Sequence, residues 1–408
     1  MTNTEKFILD NWKNTVRQNN EDGDGRDPLI GLPNEYTVPC ISGMFQEMYY
    51  WDTYFTNVGL IESGLADLAR KNTENVAYLI NRFGYMPNGN RISFLSRSQP
   101  PFFSKMVYDV YNVTKDKDWL SKMYSSIQTE YRFWQTDRNT KTGLNRYFCD
   151  WELVYKEFAP CFCDRIDLPK PKDEETEKEY AKGLLSVAES GWDCTSRFGT
   201  KTHWFNPVDL NSLLYALERN MAFFAGELEN GKQDLWNERA NNRAELMEKL
   251  LWDDSIGMFC DYDFVNNKKG DLVSVAAFYP LFVGLATKAQ AEKTAGLLCK
   301  LEGEFGIAGS ENRDDLLELQ WDYPHSWACL NYIVYKGLNN YGYYDDANRV
   351  AEKFCLTIEK TFEKTGDLWE KYDVRTGDVS VTREYESPHM MGWTAGVYIY
   401  FKKHVVKK

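Results

Sequence analysis

Apolar residues recur every three or four positions through most of the longer segments of the chain. Across residues 60–79, Leu60, Leu65, Leu68, Ala77 and Leu79 stand among Asp, Arg and Lys. Residues 208–228, 243–252, 289–301 and 344–362 repeat this pattern, the period of an amphipathic helix that buries one face. Alternation with a period of two is scarce, and residues 257–263 and 377–383 are the candidates for short strands. The pattern predicts an all-α protein with small β pieces in its loops.

The helical stretches are repeatedly followed by loops rich in Gly, Trp, Asp and Asn: residues 39–51, 87–101, 191–204, 306–327 and 370–393. Helices alternating with loops of this kind predict a helical barrel or toroid whose loops gather at one pocket. No short repeat recurs, which argues against a solenoid. Nor is there a Pro/Gly/Ser-rich linker or a shift in composition, so residues 1–408 are expected to form a single catalytic domain with an ample core. A charged insertion near 165–183, opening Pro169-Lys-Pro-Lys-Asp-Glu-Glu, reads as a solvated surface loop, with a flap beside Asp193 as the other reading.

Composition narrows the partners. A net charge of −13 with no basic arm or patch argues against nucleic acid and anionic membrane surfaces. The N-terminus lacks a basic start and apolar run, and no stretch of about 18 apolar residues could cross a bilayer, which predicts a cytoplasmic protein. Nine scattered cysteines fit reduced thiols better than a disulfide framework. Cys161-Phe-Cys163 has no His at zinc-like spacing, and four His in the whole chain give no reason to expect a metal. The aromatic share is 15%, with 13 Trp and 26 Tyr. Such a surplus suits sugar binding, where ring faces stack on the sugar and polar tips bond its hydroxyls.

Several motifs carry chemistry. Glu189-Ser-Gly-Trp-Asp193 and Glu384-Tyr-Glu386 set carboxylates among aromatic neighbours, and splitting a glycosidic bond needs one carboxylic acid and one carboxylate base. Tyr49-Tyr-Trp-Asp52-Thr-Tyr-Phe55 crowds rings around one carboxylate. Trp51 would floor a sugar site and Asp52 would accept from ring hydroxyls, although an aromatic helix start capped by Asp52 reads equally well. Asn88, Arg97 and Gln99 offer donors for hydroxyls from a turn and an extended Pro100-Pro101 segment, or form a plain surface turn. Gln320-Trp-Asp-Tyr-Pro-His-Ser-Trp327 reads as a loop opening a helix, with Trp327 in the core.

Taken together, in this order and spacing, these segments resemble the trehalase family of glycosidases (glycoside hydrolase family 37). The likeness rests on Phe45-Gln-Glu-Met-Tyr49-Tyr-Trp-Asp52, Tyr85-Met-Pro-Asn-Gly-Asn-Arg91, Leu95-Ser-Arg-Ser-Gln-Pro-Pro101, Glu189-Ser-Gly-Trp-Asp193, Gln320 to Trp327, and Glu370-Lys-Tyr-Asp373 leading to Glu384 and Gly392-Trp-Thr-Ala-Gly396. The resemblance implies an (α/α)6 barrel and inverting hydrolysis of a small α-glucoside, with trehalose the default disaccharide and neither metal nor cofactor. It places the general acid on Asp193 and the general base on Glu384, with Glu386 the nearby rival. Phe45, Tyr49, Trp51, Asp52, Asn88, Arg97 and Gln99 fall on substrate-contacting positions. Gly191, Trp192, Trp321, Asp322 and Trp393, in the motifs around them, are expected to bind substrate as well. An inverting pair leaves about 6.5–9.5 Å between carboxyls for water, and a general acid of this kind is expected to be buried, here against Trp192, with a raised pKa.

The departures from the family pattern cluster. Met44 stands where the family carries an Arg, the Arg-Pro-Glu-Ser segment is missing after residues 144–147, and the Gly-rich stretch before the base reads Asp378-Val-Ser-Val-Thr-Arg383. Losing a charged hydrogen bond costs about 1.5–3 kcal/mol, so Arg146, Glu152, Arg165 and Arg383 are the candidates for replacing leaving-group contacts. Another α-glucoside with a different aglycone, or a non-catalytic sugar-binding relative, is the alternative expectation.

Overall fold

The computed structural model describes residues 1–149, 152, 163, 169–316, 318–382 and 385–405. Its frame is a ring of six inner helical segments. They are Tyr50–Glu62, Phe103–Thr114, Val208–Glu227, the short pair Val275–Phe278 and Tyr279–Phe282, Ala328–Asn340 and Gly392–His404. Each packs on the next, and the sixth returns to the first. Ala66–Phe83, Lys117–Asp137, Gln233–Leu250 and Tyr344–Thr365 pack around the outside. This is the all-α (α/α)6 barrel expected from the sequence.

Hydrophobic patterning sorts inner from outer helices. Every residue from Tyr50 to Leu60 is buried, because an inner helix touches protein on all sides. The outer helix Ala66–Phe83 buries only Ala69, Asn72, Thr73, Asn75, Val76, Ala77, Leu79 and Ile80, the stripe of a helix with one wet face. The apolar period across residues 60–79 therefore conceals two helices. Ser63 N–H bonds back to Gly59 O, and Gly64 turns the chain with a φ of 79°, a conformation that costs a residue without a Cβ little. The periodic segments at 208–228 and 344–362 are borne out almost residue for residue as Val208–Glu227 and Tyr344–Thr365.

The β structure is smaller than the sequence pattern suggests. Met258–Phe259 pairs with Trp252–Asp253, while Tyr262–Asp263 pairs with Phe205–Asn206 and Lys268–Lys269. Residues 377–382 form no strand, and Val379 makes only an isolated bridge to Tyr372. Part of the charged run is helical where a surface loop was expected. Asp173 accepts from Thr176 N–H, and Glu174, Glu175 and Glu177 fill the first turn of Glu174–Ser190, where acidic groups offset the unpaired amides and the dipole. An antiparallel ribbon matters more for the site: His325–Trp327 pairs with Lys371–Asp373, Trp327 lying opposite Lys371.

Two glycines close the ring. A Cβ on Gly59 would fall 2.3 Å from Gly396 Cα, and one on Gly396 would fall 2.2 Å from Phe55 O. The first and sixth inner helices touch backbone to backbone here. Gly396→Ala is expected to lower stability by about 1–3 kcal/mol or more through overpacking. Gly296→Ala, where nothing lies within 4 Å of the added carbon, is the control and should leave the denaturant midpoint nearly unchanged. Equal midpoints for the two variants would refute the tight seam.

Candidate active site

A cavity of about 320 Å³ opens where the loops converge. The N-terminus of the first inner helix brings Tyr49, Trp51 and Asp52 to it. Gln99 Oε1 accepts from Trp51 N–H at 3.2 Å, so Gln99 satisfies an orphan amide at the helix start while standing on the cavity wall. Asn88 is held by the backbone: its N–H donates to Arg97 O, its O accepts from Tyr50 N–H, and its side-chain amide donates to Ala188 O. Arg97 stacks on Phe94, 5.4 Å from the ring centroid, and its Nη1 donates to Ser96 Oγ.

Tryptophans make the floor. Trp321 and Trp327 stack face to face with centroids 3.9 Å apart and planes 1° apart. Trp51 lies tilted on Trp321 at 5.4 Å, and Trp393 stands perpendicular to Trp51, Trp321 and Trp327. Edge-to-face and offset contacts of this kind hold the indoles rigid. A flat apolar floor under a rim of Asp, Asn, Arg and Gln is suited to a pyranose, one face apolar and the edge all hydroxyl.

Asp193 reaches the cavity from the end of the helix Glu174–Ser190. That helix stops at Gly191, whose φ is 72° and whose added Cβ would sit 2.7 Å from the Trp51 indole. Both facts demand glycine. The preceding Glu189 is fully buried. It takes both arms of Arg138 at 2.8 and 2.9 Å, plus Ser98 N–H and Phe148 N–H. Glu189 is thus a structural hub that fixes the helix end.

Two residues in the motifs do not line the cavity. Trp192 is buried behind it, with Arg197 4.5 Å over its ring. Asp322 is also buried and accepts from Thr195 Oγ1 and Ser196 N–H at 2.9 and 2.8 Å. Burial pushes its carboxyl up to about 6 against those bonds. It ties the loop after Asp193 to the loop of Trp321. Asp193 itself is partly exposed on the cavity wall rather than sealed against Trp192.

Asp52 is perturbed more strongly than Asp322. Burial first, then the charges of Glu370 and Asp193, push it up to about 8, against the pull of its own backbone N–H. Among the described residues no other side chain donates to it. Glu384 lies outside the described residues, as do Arg165 and Arg383. Glu386 is exposed and is not part of the cavity lining. Of the remaining candidates for leaving-group contacts, Arg146 donates to His203 O and Glu152 is exposed.

Sequence reasoning missed Gln320, Trp327, Glu370 and Tyr385 as lining residues. Gln320, Trp327 and Glu370 begin or end motifs already singled out, and the ribbon sets Trp327 opposite Lys371, the neighbour of Glu370. Leu185 and Ala188 also line the wall, from a helix face that carries no signal in the chain.

The family model for trehalase matches residues 2–405. The chain belongs to the trehalase family. It is a glycoside hydrolase, and its family's substrate is a disaccharide. The periplasmic trehalase of Salmonella paratyphi B is 36% identical over 397 residues, spanning 91% of this chain and 68% of that protein. That of Salmonella enteritidis PT4 shows the same identity and coverage. In three dimensions the neutral trehalase of Saccharomyces cerevisiae is similar with a TM-score of 0.78 at 28% identity, covering 99% of this chain and 80% of that one. A mannosylglycerate hydrolase of Thermus thermophilus, at a TM-score of 0.69 and 15% identity over 98% of this chain and all of that one, shares the fold.

These relatives correct one expectation. The cytoplasmic address read from the N-terminus does not stand, because the matched Salmonella proteins are named periplasmic trehalases. No helix among the described residues is long and apolar enough to cross a membrane. Cys40, Cys149, Cys260, Cys299, Cys329 and Cys355 carry free thiols. Among the described residues no group of three or more His, Cys, Asp or Glu is placed to hold a metal ion.

The Asp52 environment makes a pH-dependent prediction for this trehalase-family chain. Its folded value of about 8 lies above the ordinary 3.8, so the fold favours the neutral acid. That contribution is complete below the ordinary value and is lost as pH rises through about 8. Asp52→Asn, neutral throughout, should therefore gain on the wild type in denaturant midpoint between about pH 5 and about pH 9. A difference that stays constant with pH would count against it.

Proposed function

We propose that this enzyme hydrolyses trehalose with inversion, Asp193 protonating the leaving oxygen and Glu384 drawing a proton from water. The observation that carries this reading is the meeting of Asp193 with Asp52, Asn88, Arg97 and Gln99 around one tryptophan-floored cavity. The reading is supported by the names of the relatives, which are trehalases. Tyr385, the chain neighbour of Glu384, lines the cavity, whereas Glu386 is exposed and outside the lining, which favours Glu384 as the base. In this scheme Phe45, Tyr49, Trp51 and Trp393 seat the glucose being cleaved.

Inversion is the stereochemical outcome this scheme requires. With water admitted between acid and base, attack comes from the face opposite the leaving group, and the α-linkage yields one β-glucose and one α-glucose. A partly exposed Asp193 is compatible with this role, because the acid must be reprotonated from solvent after each turnover.

One observation favours a second reading of the substrate. Met44, at the position where the family carries an Arg, stands on the cavity wall with 45% of its surface exposed, and Phe94, Leu185 and Met390 share that lining. An apolar wall contributes less to gripping a second glucose than a charged one, so an α-glucoside with another aglycone is the alternative.

Both readings are tested by following the anomer first released from trehalose by NMR. The expected result is β-glucose beside α-glucose, with Asp193→Ala slower by roughly 10²–10⁴-fold. No turnover of trehalose alongside turnover of another α-glucoside would replace the first reading with the second.

A further inference from the structure

One polar chain on the cavity wall has no part in the scheme above. Glu370 is buried there, and both its oxygens are taken. Lys371 Nζ lies 2.6 Å from Oε2, and the Tyr385 hydroxyl donates to Oε1 at 2.8 Å. Lys371 is fully buried, with its ammonium over the rings of Tyr385 and Trp327 at 4.4 and 5.0 Å. Ribbon pairing opposite Trp327 fixes this pair to the barrel.

The chain continues through Gln320. Its Nε2 donates to the Tyr385 hydroxyl at 3.0 Å, and its Oε1 accepts from Thr382 Oγ1 at 3.3 Å. One amide therefore grips the loop at Thr382 and at Tyr385, the residues on either side of positions 383 and 384. Gln320 is itself anchored, since its backbone O accepts from Trp327 Nε1 at 3.1 Å.

A fully buried ion pair is a poor source of net stability, because desolving both charges offsets their attraction. What it supplies is a fixed place for its hydrogen-bond partners. A base must sit within a fraction of an ångström of its water to keep its rate, and a loop of irregular backbone cannot hold a side chain so closely without outside support.

We infer that Gln320, Tyr385, Glu370 and Lys371 form a positioning device that holds the loop carrying the base. The inference rests on the reading of Glu384 as that base. It assigns a task to Gln320 and Glu370, both prominent in the sequence motifs but neither needed to break the bond.

Tyr385→Phe is the decisive variant, since it keeps the ring on Lys371 and its edge contact with Phe45 and removes only the hydroxyl. The expected result on trehalose is a kcat lower by about 10- to 100-fold with KM within about twofold and an unchanged thermal midpoint. Gln320→Met should do the same, and the double variant should lose little more than the worse single one, because the residues act as a unit. Unchanged kcat in Tyr385→Phe overturns the inference, as does a raised KM with kcat intact, which would make the hydroxyl a substrate contact. Glu384→Gln, measured in parallel, separates the failures. Full activity there removes the base assignment itself, whereas an inert Glu384→Gln beside a wild-type-like Tyr385→Phe overturns the positioning alone.

Discussion

The contact between Gly59 and Gly396 is the constraint on which the rest of the molecule depends. A barrel of six helical pairs must join its last inner helix to its first, and here they meet with no side chain between them. The N-terminal ends of those same two helices carry Tyr49, Trp51 and Asp52 on one side and Trp393 on the other. Backbone contact at the seam is what brings the Trp51 and Trp393 rings to 5.9 Å in an edge-to-face pair. Wider spacing would separate the two halves of the tryptophan floor, so packing deep in the barrel sets the width of the cavity above it.

Charge is handled differently in the frame and in the cavity. Three buried arginines of the frame are matched: Arg138 with Glu189, Arg197 with Asp209 and Asp261, and Arg243 with Glu218. Each arginine makes two or more hydrogen bonds to its carboxylate partners, which work against the cost of its desolvation. Around the cavity the matching is less complete. Glu370 is paired with Lys371, but among the described residues no side chain donates to Asp52, and burial pushes its carboxyl up. Proteins tolerate an uncompensated group of this kind where a ligand can supply the missing partners, and under the proposed function the hydroxyls of the sugar do so.

Much of the site was legible in the chain. Aromatic–carboxylate clusters in loops that follow helices located the pocket, and of the sugar-binding residues expected from the motifs only Trp192 and Asp322 lie off the wall. Those two misled for a physical reason. A Trp or Asp in a motif can serve the motif's geometry as well as the ligand, and Asp322 bonds Thr195 and Ser196 across the back of the loop. Local spacing does not reveal which side of a loop faces inward. Glu370 illustrates the converse. Its place on the wall depends on an antiparallel register between residues 325–327 and 371–373, a pairing with no local signature.

By itself the sequence determined the helical class, the loops that carry chemistry and the family, because helical period and motif wording are properties of short segments. Only the tertiary structure decided that the 60–79 period is two helices, that the ring shuts at a glycine seam, and that Gln320 grips the chain at Thr382 and Tyr385. The break in that period is a local turn at Gly64 that the apolar spacing masks, but the seam and the Gln320 bonds join residues far apart in the chain, where distance and direction are set by packing of the whole barrel and not by any local preference of the backbone.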